Sequence, residues 1–131
     1  MKNSTFQLTE LGQIENVIAK LREKLFSINV PQETFLDIQL ALMEAVGNAF
    51  LHGVQGKERP LVELEWLINT NSIRLRIKDN GLGFNYKDLG CFHEPDILAE
   101  KGRGLFLMYS VLDEVRFNEQ GNEIYCCKKW T

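Results

Sequence analysis

A chain of 131 residues, 44% hydrophobic and 25% charged, has material for one hydrophobic core, so a single domain over 1-131 is expected. A formal net charge of -3, with lysines and arginines dispersed among acids, creates no field that draws in a phosphate backbone, which argues against direct nucleic-acid binding. The longest apolar runs, such as Leu40 to Met43 and Leu105 to Met108, fall far short of a bilayer span, and the first ten residues carry no signal-peptide pattern, so no membrane contact and a cytoplasmic location are expected.

Thr5 to Leu8 reads as a short leading strand. Thr9 to Ser27 follows as an amphipathic helix with Leu11, Ile14, Val17, Ile18, Leu21 and Leu25 at helical spacing. Pro31 opens a second helix from about Gln32 to Leu51, whose stripe of Ile38, Ala41, Leu42, Ala45, Val46 and Ala49 is suited to packing on a sheet. Val62, Leu64, Trp66 and Ile68 alternate with Glu63, Glu65 and Leu67, and Ile73, Leu75 and Ile77 alternate with Arg74, Arg76 and Lys78, which predicts a hairpin. Asn80 to Lys101 is a long irregular stretch of the kind that usually carries function. A third helix is expected over Leu105 to Leu112 and a second hairpin over Glu114 to Phe117 and Glu123 to Lys128, joined around Gly121. Together these predict an α+β fold, a two-layer sandwich with helices on one face of a mixed, mostly antiparallel sheet.

Cys91, Cys126 and Cys127 cannot all pair, and two of them are adjacent, so neither a disulfide framework nor a zinc spacing is present. His93 beside Cys91 does not make a metal site, and buried or half-buried thiols are expected. Gly56-Lys57 is followed by Glu58 and cannot be a P-loop. The pairs Gly81/Gly83 and Gly102/Gly104 have Tyr86 and Leu107 where a dinucleotide fingerprint requires its third glycine.

Three clusters carry chemistry. In the second helix Glu44, Asn48 and His52 are four apart and share one edge of the apolar stripe. Asn48 there suits a hard cation such as Mg²⁺, which prefers oxygen ligands, and Glu44 one turn earlier suits proton acceptance; a solvated helix edge is the plainer alternative. Asp79-Asn80-Gly81-Leu82-Gly83-Phe84 follows the strand directly. By strand parity Asp79 faces the core, where its carboxylate needs a donor such as an adenine amino group, and Gly81 and Gly83 let the backbone approach a planar ligand; a simple Asp-Asn-Gly turn has the same composition. Gly102-Arg103-Gly104-Leu105 precedes an apolar helix, where exposed N–H groups and the helix dipole make a phosphate seat to which Arg103 adds a charge; a glycine hinge is the alternative.

Taken in order, Glu-x-x-x-Asn-x-x-x-His, Asp-x-Gly-x-Gly-Phe and Gly-Arg-Gly-Leu resemble the N, G1 and G2 boxes of the Bergerat-fold ATPases. The ending Gly102-Arg103-Gly104-Leu105-Phe106-Leu107-Met108 followed by Asp113-Glu114-Val115 resembles the anti-sigma-factor serine kinases within them, and the likeness extends from Glu10 to about Lys129. The resemblance implies a Bergerat ATP-binding fold with ATP and Mg²⁺ as cofactors. It implies Asn48 as Mg²⁺ ligand, Glu44 as general base, Asp79 on the adenine amino group, Gly81 and Gly83 shaping the adenine pocket, and Gly102, Arg103, Gly104 and Leu105 at the phosphates. Residues 85-101 correspond to the ATP lid. The implied activity is phosphorylation of an anti-sigma-factor antagonist of the STAS type, with a sigma factor as second partner and a homodimer as assembly. Leu82, where many relatives carry Pro or a polar residue, and Gly47 depart from the pattern without removing an assigned group. The competing expectation is a module that sequesters a regulatory protein without catalysis.

Overall fold

The computed structural model describes residues 2–83 and 103–131. β1 (Lys2–Leu8) leads through a 3-10 turn (Leu11–Gln13) into α1 (Ile14–Ser27), and α2 (Gln32–Asn48) continues into a π turn (Ala49–Gly53). There follow β2 (Val62–Ile68), β3 (Ser72–Asp79), α3 (Arg103–Val111), β4 (Glu114–Phe117) and β5 (Glu123–Lys129). The strands form one sheet in the order β1-β2-β3-β5-β4, and every described pairing is antiparallel.

One face of this sheet supplies Val62, Leu64, Trp66, Ile68, Ile73, Leu75, Ile77, Ile124 and Cys126 to the core, as the period-two pattern requires. Against it lie Ile14, Val17, Ile18, Leu21 and Leu25 of α1, the α2 stripe, and Leu105 and Met108 of α3. The helical stripe of α2 is buried as read from the sequence, with Phe35 added to it. By length and mean hydropathy alone the 22 residues Gln32–Gly53 would suffice to cross a bilayer. Their apolar residues instead pack on the sheet, as those of a core helix do.

Apart from shifts of a single residue at the ends of β3, α3 and β5, four boundaries differ from the sequence reading. β1 begins at Lys2, because Lys2 to Leu8 pair with β2 along its whole length. The first helix begins at Ile14: the Gln13 side-chain carbonyl accepts from the N–H groups of Thr9 at 2.7 Å and Glu10 at 3.2 Å and sets a 3-10 turn there. That turn rotates Leu11 off the buried stripe, and it is 46% exposed. The α-helical part of the second helix ends at Asn48, where the hydrogen-bonding step widens and Val54 N–H donates to Ala49 C=O at 2.9 Å. His52 therefore leaves the α-helical line that joins Glu44 and Asn48. Finally, α3 starts at Arg103, so Gly104 lies inside its first turn rather than ahead of the helix.

Candidate nucleotide site

Glu44 and Asn48 stand one turn apart near the C-terminal end of α2, half-buried at the rim of its packed stripe. At the end of β3, Asp79 is the only charged side chain buried among the described residues, at 4% exposure. Asn48 and Asp79 line one narrow cleft, open to solvent, whose walls are Ala45, Ala49, Ile77, Phe117, Ile124 and the turn at Gly121 to Glu123. Small residues at 45 and 49 leave room beside Asn48 that larger side chains would fill. The lining is apolar except for a few polar groups, as expected where a flat heteroaromatic ring is gripped by its faces and recognised at its edge.

The buried residue is held through both its side chain and its backbone. Its Oδ1 accepts the Gly81 N–H at 2.8 Å, and the Asp79 N–H donates to Asn122 C=O at 2.9 Å. Burial pushes the Asp79 carboxyl above its ordinary value, and the Gly81 N–H offsets part of that rise. Asn80 turns the other way. Its Oδ1 accepts Leu61 N–H at 3.0 Å and its Nδ2 donates to Arg59 C=O at 2.9 Å, so it ties the strand end to the segment entering β2.

The glycines are required by close approach. A Cβ at Gly81 would lie 2.5 Å from the Gly53 carbonyl carbon, and one at Gly83 2.7 Å from that of Gln120. Gly83 also has φ +89, a left-handed conformation that L side chains rarely adopt. A Cβ on Gly104 would overlap the Glu44 carboxylate, its Cδ being only 3.0 Å away. The first turn of α3 therefore brings its backbone directly against Glu44. Leu105 follows at 1% exposure and anchors that turn in the core, leaving its backbone rather than its side chain to a ligand. Gly102, the side chain of Arg103 and the lid expected at 85-101 lie outside the described residues, as does Cys91.

The sequence reading found the β4–β5 hairpin but connected neither its turn nor Gly53 with the site. Within that turn the Asn118 Oδ1 accepts from the N–H groups of Gly121 at 2.8 Å, Asn122 at 3.1 Å and Glu123 at 3.2 Å. Asn118 Nδ2 donates to Asn122 Oδ1 at 2.6 Å. This clamped turn forms the back wall of the cleft. Its asparagine-rich composition signals a tight turn, but only the sheet order β3-β5-β4 brings it beside Asp79. Among the described residues no group of three or more His, Cys, Asp or Glu side chains is arranged to hold a metal ion. Asn48 brings a side-chain oxygen to the cleft, whose lining also includes Asp79, Asn122 and Glu123.

The family model of the histidine kinase-like ATPase domain matches residues 8–128. The chain is 36% identical over 92 residues to a serine-protein kinase RsbW of Bacillus pumilus, covering 63% of this chain and 57% of that protein. It is 26% identical over 104 residues to one of Listeria monocytogenes, covering 73% and 66%. The matches thus span less than two thirds of the length of these two kinases. An anti-sigma F factor of Bacillus cereus is 28% identical over 121 residues, covering 88% of this chain and 82% of that protein. A histidine kinase domain from the Erythrobacter litoralis EL346 blue-light activated histidine kinase superposes with a TM-score of 0.59 at 18% identity, covering 89% of this chain and 57% of that one, a likeness of fold. With a family model matched over residues 8–128 and the five-stranded sheet behind its helices in agreement, the chain belongs to the histidine kinase-like ATPase domain family.

Proposed function

We propose that this chain is a single-domain, ATP-dependent serine-protein kinase and anti-sigma factor that phosphorylates an anti-sigma-factor antagonist. The observation that carries the reading is the meeting of Asn48 and Asp79 in one apolar cleft. A buried acceptor between apolar walls fits an adenine ring, whose exocyclic amino group supplies the donor that Asp79 needs. The names of the relatives, serine-protein kinase RsbW and anti-sigma F factor, agree with this reading.

In this reading Asp79 orients the base, with Gly81 and Gly83 keeping the backbone clear of it. Asn48 would hold Mg²⁺, an ion that prefers oxygen ligands, through its side-chain oxygen. Gly102, Arg103, Gly104 and Leu105 hold phosphates at the start of α3, and residues 85-101 form the lid. Mg·ATP supplies the transferable phosphoryl group and neutralises its charge, so the chain's own work is chiefly positioning. Glu44 accepts the proton of a serine or threonine hydroxyl on the antagonist, a STAS-type protein. The phosphate adds about two negative charges to the antagonist's interface and weakens the complex. The chain is then free for a sigma factor. A cytoplasmic location and a homodimer complete the proposal.

The test is to incubate the chain with Mg·ATP and a candidate antagonist and to weigh the antagonist by mass spectrometry. A gain of one phosphate, absent when Glu44 is replaced by Ala, is the expected result. ATP binding without transfer would leave a nucleotide-dependent sequestering module, and no ATP binding to the folded chain would remove the nucleotide site altogether.

A further inference from the structure

The least regular piece of described backbone is the π turn Ala49–Gly53, which continues α2 immediately after Asn48. A π step is poorer than an α step in isolation and persists where tertiary contacts require it. Here the contacts are specific. Gly53 is buried, and a Cβ built on it would lie 2.5 Å from Asp79 Cγ and 2.9 Å from Oδ1, with Oδ2 nearer still. The whole carboxylate thus faces the Gly53 Cα. On its other side the Gly53 carbonyl fills the place where a Cβ of Gly81 would stand. Gly81 in turn donates its N–H to Asp79 Oδ1 at 2.8 Å. Gly53, Asp79 and Gly81 therefore form a closed clasp in which each member fixes the next.

We infer that Gly53 is a positioning residue for nucleotide selection: the π turn brings a backbone with no side chain against Asp79 and so holds the carboxylate in the orientation that receives the exocyclic amino group of adenine. The inference rests on the nucleotide reading above and adds to it the element that aims the base-reading group. Four residues of chain separate Asn48, at the cleft, from Gly53, on the carboxylate. One turn of backbone therefore sets the spacing between the group assigned to the metal and the group assigned to the base. An α-helical continuation would close its hydrogen bonds one residue earlier and change where residue 53 meets β3.

The experiment compares ATP with ITP, which carries a carbonyl oxygen in place of the amino donor, on wild type and Gly53→Ala by calorimetry with Mg²⁺. Wild type is expected to prefer ATP. Gly53→Ala is expected to lose about tenfold or more in ATP affinity, the worth of one hydrogen bond to a charged group, while ITP affinity changes little. Equal losses for both nucleotides would overturn the inference, since Gly53 would then merely support the cleft. A second measurement covers a variant that folds poorly: thermal unfolding of wild type, Gly53→Ala, Asp79→Ala and the double variant, all without nucleotide. Asp79→Ala vacates the space that the new methyl group needs, so the double variant should recover most of the midpoint lost in Gly53→Ala. Additive losses would overturn the clasp. Wild type that binds neither nucleotide would remove the functional reading and the selectivity inference with it, whereas a wild type that prefers ATP beside an unselective loss in the variant sinks Gly53 alone.

Discussion

The Glu44 carboxylate occupies the space that a side chain at position 104 would need, so the proposed base on α2 and the first turn of α3 are in direct contact. Two variants follow from that contact. Glu44→Ala should leave nucleotide affinity nearly intact and lower phosphotransfer by about two orders of magnitude or more, the usual worth of a positioned base. Gly104→Ala should displace the carboxylate, the movable end of a long half-buried side chain, at little net cost in stability, and so should lower transfer rather than stability. Combining the two should lose no more transfer than Glu44→Ala alone, since both act on the one carboxylate. Urea unfolding and single-turnover transfer on the three proteins check both halves, and undiminished transfer in Glu44→Ala would take the residue out of its role.

Asp79 sets recognition against stability. Its carboxyl is pushed up from the ordinary 3.8 chiefly by burial, so the folded chain holds this proton more tightly than the unfolded chain does. As far as this group is concerned, stability is fully present below pH 3.8 and is lost as pH rises through the raised folded-state value. At neutral pH the ionised carboxylate is a cost that the bound amino group would offset. Asp79→Asn keeps an oxygen for the Gly81 N–H and removes the charge. It should raise the unfolding midpoint of the nucleotide-free chain by about 2–5 °C while weakening ATP binding. The stability difference between variant and wild type should grow with pH across the acidic window and then level off. A midpoint that falls in Asp79→Asn at neutral pH would contradict this account.

Asp79 and the α2 stripe mark what was legible in the sequence. Strand parity alone placed Asp79 on the core face, because the period of two is preserved from Ile73 to the strand end. The α2 stripe was equally legible, since burial follows the 3.6-residue period through Val46. The π turn was not: no residue type forces a π step, and His52 looks like one more i+4 position until the contact between Gly53 and Asp79 is known. The back wall of the cleft was hidden for another reason. The turn Asn118 to Asn122 lies some forty residues beyond Asp79, and only the placement of β5 between β3 and β4 makes them neighbours. Leu11 shows the reverse error, a residue at helical spacing that a local 3-10 turn exposes.

Cys126 and Cys127 are both buried, though they are adjacent in β5 and point to opposite faces of the sheet. Burial pushes the Cys126 thiol up to about 12, and burial likewise raises Cys127, against the pull of Arg74. A thiolate is the reactive species, so neither residue should react with a thiol reagent at pH 8 in the folded chain. Mass spectrometry after brief alkylation should find both unmodified under native conditions and both modified in denaturant. Native labelling of Cys127 would mean that the solvent face of β5 opens far more readily than its packing implies.

On the face of the sheet away from the helices, Arg76 meets three carboxylates: Glu63 at 3.1 Å, Glu123 at 3.2 Å and Glu65 at 3.4 Å. One cation shared by three anions is a lopsided arrangement, so the partners are not equivalent. Removing the cation leaves Glu63 and Glu65 on β2 and Glu123 on β5 flanking an uncharged position on β3, and like charges on one face of a sheet repel. Arg76→Met should therefore cost about 1–2 kcal/mol at low ionic strength, more than an ordinary exposed pair, because the guanidinium is largely covered. Glu65→Gln removes the longest of the three contacts and one unit of repulsion together, and should fall within about 0.5 kcal/mol of wild type. Salt separates this from lost packing: the deficit of Arg76→Met should shrink by 1 M NaCl if it is repulsion, whereas a deficit that does not change with salt would assign it to the buried arginine stem. Urea unfolding of the three proteins at low and high salt makes the comparison.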